Sequence, residues 1–144
     1  MTVRRDDPYP DFNFLVELGG DVVGGFSEVE LPAAEIETIE YREGGDKTSA
    51  ARKLPGRVKY GNVVLKRGVA GGTELWDWFD AVRDGNLDRR EVRITLLDET
   101  RQPVLAWTFR RAWPARYDAP DLRALGNEVA IETLELAHEG FEVA

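Results

Sequence analysis

The sequence predicts a mainly β fold: two packed antiparallel sheets, a sandwich or partial barrel, with one flanking α-helix. Three observations point to it. Seven segments read as strands, several of them with the period-two alternation of apolar and polar residues that marks half-buried strands. Glycine and proline turn signals divide these segments at short intervals, as in antiparallel sandwiches and barrels. A single segment carries helical spacing. The 144 residues are the length of one domain, enough to bury a real core without disulfide staples.

In chain order, residues 1–10, with Pro8 and Pro10, read as an N-terminal arm. Phe12, Phe14, Val16 and Leu18 share one parity and make the first strand. Gly19-Gly20-Asp21 is a turn, and Val22 to Val29 reads as its hairpin partner, with Gly24-Gly25 marking a bulge or close backbone approach. Ile36 to Tyr41 is a third strand of mixed phase. Residues 42–57, with Gly44, Gly45, Pro55 and Gly56, read as one long extended loop, a length that is usually functional or disordered. Val58 to Lys66 is the next strand. Thr73 is an N-cap and Glu74 suits the first turn of the helix dipole; Leu75, Trp76, Phe79 and Val82 form an apolar stripe, and Gly85 closes the helix. Val92, Ile94 and Leu96 alternate in one strand, and Leu105, Trp107 and Phe109 in the next, bracketed by Pro103 and Pro114. The last strand, from about Glu128 to His138, shifts its apolar parity between Ile131 and Leu134, which predicts a bulge or a bend between sheets.

Composition excludes several functions. Hydrophobic residues at 42% and charged residues at 32% rule out a disordered polymer. With no cysteine, the chain can form neither disulfides nor thiolate metal sites. One histidine, His138, leaves no His-based metal cluster and almost no room for a Ser-His-Asp triad. Apolar runs of only a few residues give no membrane-spanning segment, and the polar, acidic start is no secretory signal, so folding in the cytoplasm is expected. A net charge of −8 argues against general nucleic-acid binding.

That charge is unevenly spread. Residues 1–46 carry 3 basic and 12 acidic groups, residues 47–67 carry 7 basic groups and no acid, and residues 68–144 carry 9 basic and 15 acidic groups. The basic block is Lys47, Arg52, Lys53, Arg57, Lys59, Lys66 and Arg67. It reads as a solvated face, a nucleic-acid site disfavoured by the overall charge, or a surface that meets acidic groups on another copy of the chain.

Other motifs carry little chemistry. Gly44-Gly45-Asp46-Lys47-Thr48 lacks the contiguous Gly-Lys-Thr and the following helix of a phosphate loop. Asp77, Asp80 and Asp84, near Glu74, fit the solvated side of an amphipathic helix better than a cation site. Trp76 and Trp107 follow core parity, whereas Trp78 and Trp113 are open to an interface role. His138 reads as a surface or packing residue.

Several stretches resemble a known family. Asp7-Pro8-Tyr9-Pro10-Asp11-Phe12-Asn13-Phe14-Leu15-Val16 and Gly25-Phe26-Ser27-Glu28-Val29 resemble the inner-tube proteins of contractile phage tails and contractile injection systems. So do Lys53-Leu54-Pro55-Gly56-Arg57, the run from Tyr60-Gly61-Asn62 to Leu65-Lys66-Arg67-Gly68, Glu74 to Phe79, and Asn127 to Gly140. The resemblance implies two packed sheets with a helix alongside. It implies a structural protein, not an enzyme, with no cofactor and no catalytic residues. Six copies would close a hexameric ring whose strands form a continuous barrel, and rings would stack into a tube propelled by sheath contraction. Its partners would be itself, a sheath protein, baseplate and tube-cap proteins, and cargo in the lumen. Assembly would occur in the cytoplasm, before the tube becomes part of a virion or phage-tail-like particle. Alternatives are a tube-initiator or baseplate paralogue, or a small β-sandwich binding module. Within this reading Lys47, Arg52, Lys53, Arg57 and Lys59 are the expected subunit interface, and the 42–57 loop is the segment that reaches a neighbouring ring.

Overall fold

The computed structural model describes residues 13–42, 44–45, 51–126 and 129–144. The expected arm at residues 1–10 lies outside them. The chain runs β1 (Asn13–Leu18), β2 (Asp21–Val23), β3 (Phe26–Glu30), β4 (Ala34–Tyr41), β5 (Arg52–Tyr60), β6 (Val63–Gly68), α1 (Glu74–Arg83), β7 (Arg90–Leu97), β8 (Pro103–Asp118), β9 (Ile131–Ala137) and β10 (Phe141–Val143). One layer has the order β2-β1-β7-β8, with β10 on the free side of β8; the other is β8-β9-β6-β3. All pairs are antiparallel. The fold is mainly β, two antiparallel sheets with one helix, as the sequence predicts.

Strand β8 belongs to both layers. Residues 103–112 pair with β7, and residues 113–118 pair with β9. The bend is made where two residues of β8 lie opposite Glu91 of β7, and Arg111 there adopts φ +50°, a conformation rare for a residue with a Cβ. A second register shift follows at Pro114, whose ring is fully buried. Pro114 does not end the strand: among the described residues only one side of this half of β8 is paired, the edge setting in which proline is tolerated.

Alternation along the strands places Val16, Leu18, Val92, Ile94 and Phe109 from one layer against Val63, Leu65, Leu134 and Leu136 from the other. Leu75 and Trp78 of α1 close the cluster. Each such side chain contributes about 1.5–3 kcal/mol when fully buried. Trp78, not Trp76, is the buried tryptophan of the helix, because Leu75, Trp78, Phe79 and Val82 follow the i, i+3, i+4, i+7 rule and Trp76 falls at the margin of that stripe. Trp107 is only half-buried against the core.

Two further expectations change. The expected Val22–Val29 strand is two strands in different layers, because Gly25 (φ +85°) turns the chain between them. The parity shift in the last strand is no bulge. In β9 Glu132, Leu134 and Leu136 all point inward, and a carboxylate occupies the position where an apolar residue was expected.

Glu132 is tolerated there because Arg67 of β6 is buried beside it. Arg67 Nε donates to Glu132 Oε1 at 2.9 Å, and its Nη2 donates to Glu74 Oε2 of α1 at 3.0 Å. The Tyr117 hydroxyl of β8 donates to Glu132 Oε2 at 2.7 Å. Burial, then the hydrogen bond and charge of Glu132, push the Tyr117 phenol up to about 12. Hydrogen bonding at the helix N-terminus and from Arg67 holds the Glu74 carboxyl below its ordinary value.

Two predictions follow from this network. Glu132→Ala leaves a buried guanidinium without its partner and should lower unfolding stability by about 3–5 kcal/mol, whereas Arg67→Met with Glu132→Leu should recover most of the loss. Urea titrations of the native chain and the two variants check this; a double variant no more stable than Glu132→Ala would contradict it. The phenol's raised value also fixes a sign. Below pH 10 folded and unfolded chains both carry the neutral phenol, so the contribution is complete; as pH rises from 10 towards 12 the unfolded chain ionises first and stability is lost. The stability advantage of the native chain over Tyr117→Phe should therefore shrink across that window, read as converging urea midpoints.

Candidate subunit interface

Strands β4 and β5 form a two-stranded sheet outside both layers. The expected loop at residues 42–57 is thus shorter: Arg52 to Arg57 belong to β5, and residues 43 and 46–50 lie outside the described set. The expected Val58–Lys66 strand is likewise divided, between β5 and β6 at Gly61-Asn62. Register pairs Ala34 with Tyr60, Ile36 with Val58, Ile39 with Leu54 and Tyr41 with Arg52. A shift between Ile36 and Thr38 absorbs the extra residue in β5. Gly56 sits at that irregularity, where a Cβ would fall 3.0 Å from Ile39 Cδ1 and 3.2 Å from the Glu37 carbonyl oxygen. Pro55 is accommodated because β5 is an edge strand.

Every residue of β4 is exposed, as is every residue of β5 except Gly56. Ile36, Ile39, Tyr41, Leu54, Val58 and Tyr60 each show 37–57% of their surface. Ile36 and Val58 lie on one face near the root; Ile39, Tyr41 and Leu54 lie on the other near the tip, since side chains alternate along a strand. An isolated two-stranded hairpin is marginal in water. This one shows apolar side chains on both faces.

The hairpin root is fixed to the body. Gly61 N–H donates to the Ala33 carbonyl at 3.0 Å. Gly140 N–H donates to His138 Nδ1 at 3.0 Å, so the ring proton sits on Nε2, which donates to the Gly61 carbonyl at 2.7 Å. Tyr60 meets the rings of His138 and Phe141, with centroids 5.8 and 5.5 Å away. The single histidine therefore has a packing role, and both its nitrogens are engaged in holding the arm.

The predicted interface cations fall as follows. Arg52, Lys53, Arg57 and Lys59 all lie exposed on β5, and none makes an ion pair among the described residues. Lys53 stands opposite Glu40 and Lys59 opposite Glu35 in the ladder. Lys47 lies outside the described residues. The rest of the basic block is neutralised within the protomer. Lys66 lies 3.5 Å from Glu28 and 3.4 Å from Glu30, which raise its pKa through the Glu30 hydrogen bond and then both charges. Arg67 is buried with Glu132. The six described cations of the block are thus two separate groups.

The remaining motifs are occupied locally. Asp80 and Asp84 pair with Arg83, and the Thr73 hydroxyl donates to Asp77 at 3.0 Å. Among the described residues no group of three His, Cys, Asp or Glu could hold a metal. The Trp78 indole donates to the Asp88 carbonyl at 2.7 Å beneath the Arg90 guanidinium. The Gly44–Thr48 motif falls partly outside the described residues.

Comparison with known proteins agrees with this fold of two antiparallel sheets and one helix. A search of curated proteins finds no match. Among solved structures, the chain is similar to a chain of the 6-fold symmetrised baseplate of the anti-feeding prophage, with 30% identity, a TM-score of 0.82 and 97% of each chain covered. It is similar to a chain of the extended sheath-tube complex of PVC, an extracellular contractile injection system, with 26% identity, a TM-score of 0.84 and 96% and 93% of the two chains covered. A chain of the anti-feeding prophage tube-terminating cap matches at 25% identity and a TM-score of 0.86, covering 100% and 95%. The T4-like virus tail tube protein gp19 family matches residues 10–142. These relatives are structural tail tube components, not enzymes, and the chain belongs to the T4-like virus tail tube protein gp19 family.

Proposed function

We propose that this chain is the repeating subunit of the inner tube of a contractile injection system or contractile phage tail. It closes hexameric rings that stack into a hollow tube, meets sheath, baseplate and cap proteins, and is assembled in the cytoplasm before joining a phage-tail-like particle. One observation carries the reading. The β4–β5 hairpin exposes apolar side chains on both faces and sits outside the protomer's own core, so it gains stability only when other subunits cover it. Strand edges at β2 and β3 that are open among the described residues add to the need for neighbours. Head-to-tail contacts between identical subunits generate rings or helical arrays. A second reading, a tube-initiating or baseplate paralogue, is favoured by the 30% identity to the baseplate chain of the anti-feeding prophage. The two differ in stacking: an initiator forms a single ring, a tube subunit stacks without limit.

Purified protein should sediment near six times 16.2 kDa or as longer stacks, with rings or tubes in negative-stain images. A compact monomer at all concentrations would contradict the tube reading, and single rings alone would favour the initiator. The exposed cations of β5 give a second expectation. Each rim ion pair contributes only about 0.2–1 kcal/mol, but a closed ring repeats it in every subunit. Arg52→Glu with Lys53→Glu and Arg57→Glu should leave a folded protomer, by circular dichroism, that no longer forms long tubes. Normal tubes from this variant would make these three cations a solvated face only.

A further inference from the structure

We infer that His138 is a proton-sensitive latch: its neutral ring fastens the root of the β4–β5 hairpin to the body of the same protomer, and protonation of the ring releases it. The latch lies within one protomer and is independent of any assembly.

The ring makes two hydrogen bonds of opposite sense. Nδ1 accepts from the Gly140 N–H at 3.0 Å, and Nε2 donates to the Gly61 carbonyl at 2.7 Å. Only a neutral imidazole can do both, because an imidazolium carries a donor at each nitrogen and no acceptor. A proton added at Nδ1 faces the Gly140 N–H, donor against donor. The site is half-buried among rings, with the Phe109, Tyr60 and Phe141 centroids 5.0, 5.8 and 6.1 Å away.

Gly140 is not free to yield. Its carbonyl accepts from the Arg110 N–H, and the Glu139 N–H donates to the Arg110 carbonyl, each at 2.9 Å, so the turn is laddered to β8. Gly140 also holds φ +129°, with the Arg110 guanidinium 2.6 Å from where a Cβ would stand. The ring is therefore the part that moves, and the bond to Gly61 goes with it. On the hairpin side, β6 is held from Val63 onward by its ladder with β9. β5 is laddered to β4 alone. The Gly61 bond and the Tyr60 ring contacts fasten the end of β5 to the segment 138–141, with the chain free to pivot at Gly61-Asn62 once they are lost.

The charged and titratable groups around the ring offer the new proton no spare partner. β5 supplies Tyr60, and β8 supplies Arg110, itself a cation. β9 supplies Glu135, which accepts from Asn62 Nδ2 at 3.1 Å. Glu139 lies 2.9 Å from Arg111, and Glu142 of β10 lies 3.3 Å from Arg110. Each carboxylate is already engaged. Imidazole ordinarily changes charge between about pH 5 and 8. The released ring is open to the proton and the latched ring is not, so acid favours release: the tie is complete near pH 8 and is lost towards pH 5.

Hydrogen exchange read by mass spectrometry tests this, at a concentration where the native chain sediments identically at pH 8 and pH 5. With intrinsic exchange rates divided out, protection of peptides spanning residues 52–62 should fall about tenfold from pH 8 to pH 5, while β7 and β8 keep theirs. His138→Gln keeps a non-titrating donor for the Gly61 carbonyl and should show no such fall. His138→Phe keeps an aromatic ring without either bond and should show low protection at both pH values. A native hairpin whose protection is the same at both pH values overturns the inference. So does a fall of native size in either variant, which would place the titrating group among Glu135, Glu139 and Glu142. An equal fall in β7 and β8 overturns it as well, since the whole fold would then be loosening.

Discussion

The buried pair of Arg67 and Glu132 holds this fold together at its least forgiving point. It joins β6 to β9 inside the second layer, reaches β8 through the Tyr117 hydroxyl, and reaches the start of α1 through Glu74. Four elements are thus oriented by one guanidinium. A buried ion pair is weak evidence for net stability, because desolvating two charges costs several kcal/mol. Its value lies in specification. A register slip of one residue in β6 or β9 would turn one charge outward and strand the other among Leu65, Leu134 and Leu136. The aliphatic core alone would discriminate less sharply between neighbouring registers.

Much of the architecture was legible in the sequence, and the failures share a cause. Strands with one buried face, such as Val92 to Leu96, print their alternation directly. So does the helix, although the position of Trp78 required the stricter spacing of 3 and 4 from Leu75 to Val82 rather than simple proximity. The hairpin was hidden because neither of its faces is buried in the protomer. Ile36 faces one way and Ile39 the other, so the apolar phase appears mixed, and Pro55-Gly56 punctuates β5 like a loop. Glu132 disguised a regular strand for the opposite reason: a charge sat at a core position, and its partner lay 65 residues away in sequence.

The candidate site was legible in part. The cations of β5 are visible as a run without acids, but sequence proximity gave no means of separating them from Lys66 and Arg67. Those two are claimed by Glu28, Glu30 and Glu132, remote in the chain, and by Glu74, seven residues beyond Arg67. Charge satisfied within the fold and charge left over for a partner have the same composition. Only the three-dimensional pairing distinguishes them.

The continuity of β8 has a mechanical consequence. In a sandwich whose layers share no strand, force applied to one layer reaches the other through side-chain packing and connecting loops, and the layers can shear apart by sliding. Here sixteen residues of one strand are laddered to β7 and β10 in the first half and to β9 in the second. Tension on either layer is carried across the bend by covalent backbone. Failure would require shearing several hydrogen bonds together rather than peeling them one by one. The fold therefore behaves under load as a single folded ribbon, stiff along the strand and more compliant at its register shifts, among them those at Arg111 and Pro114.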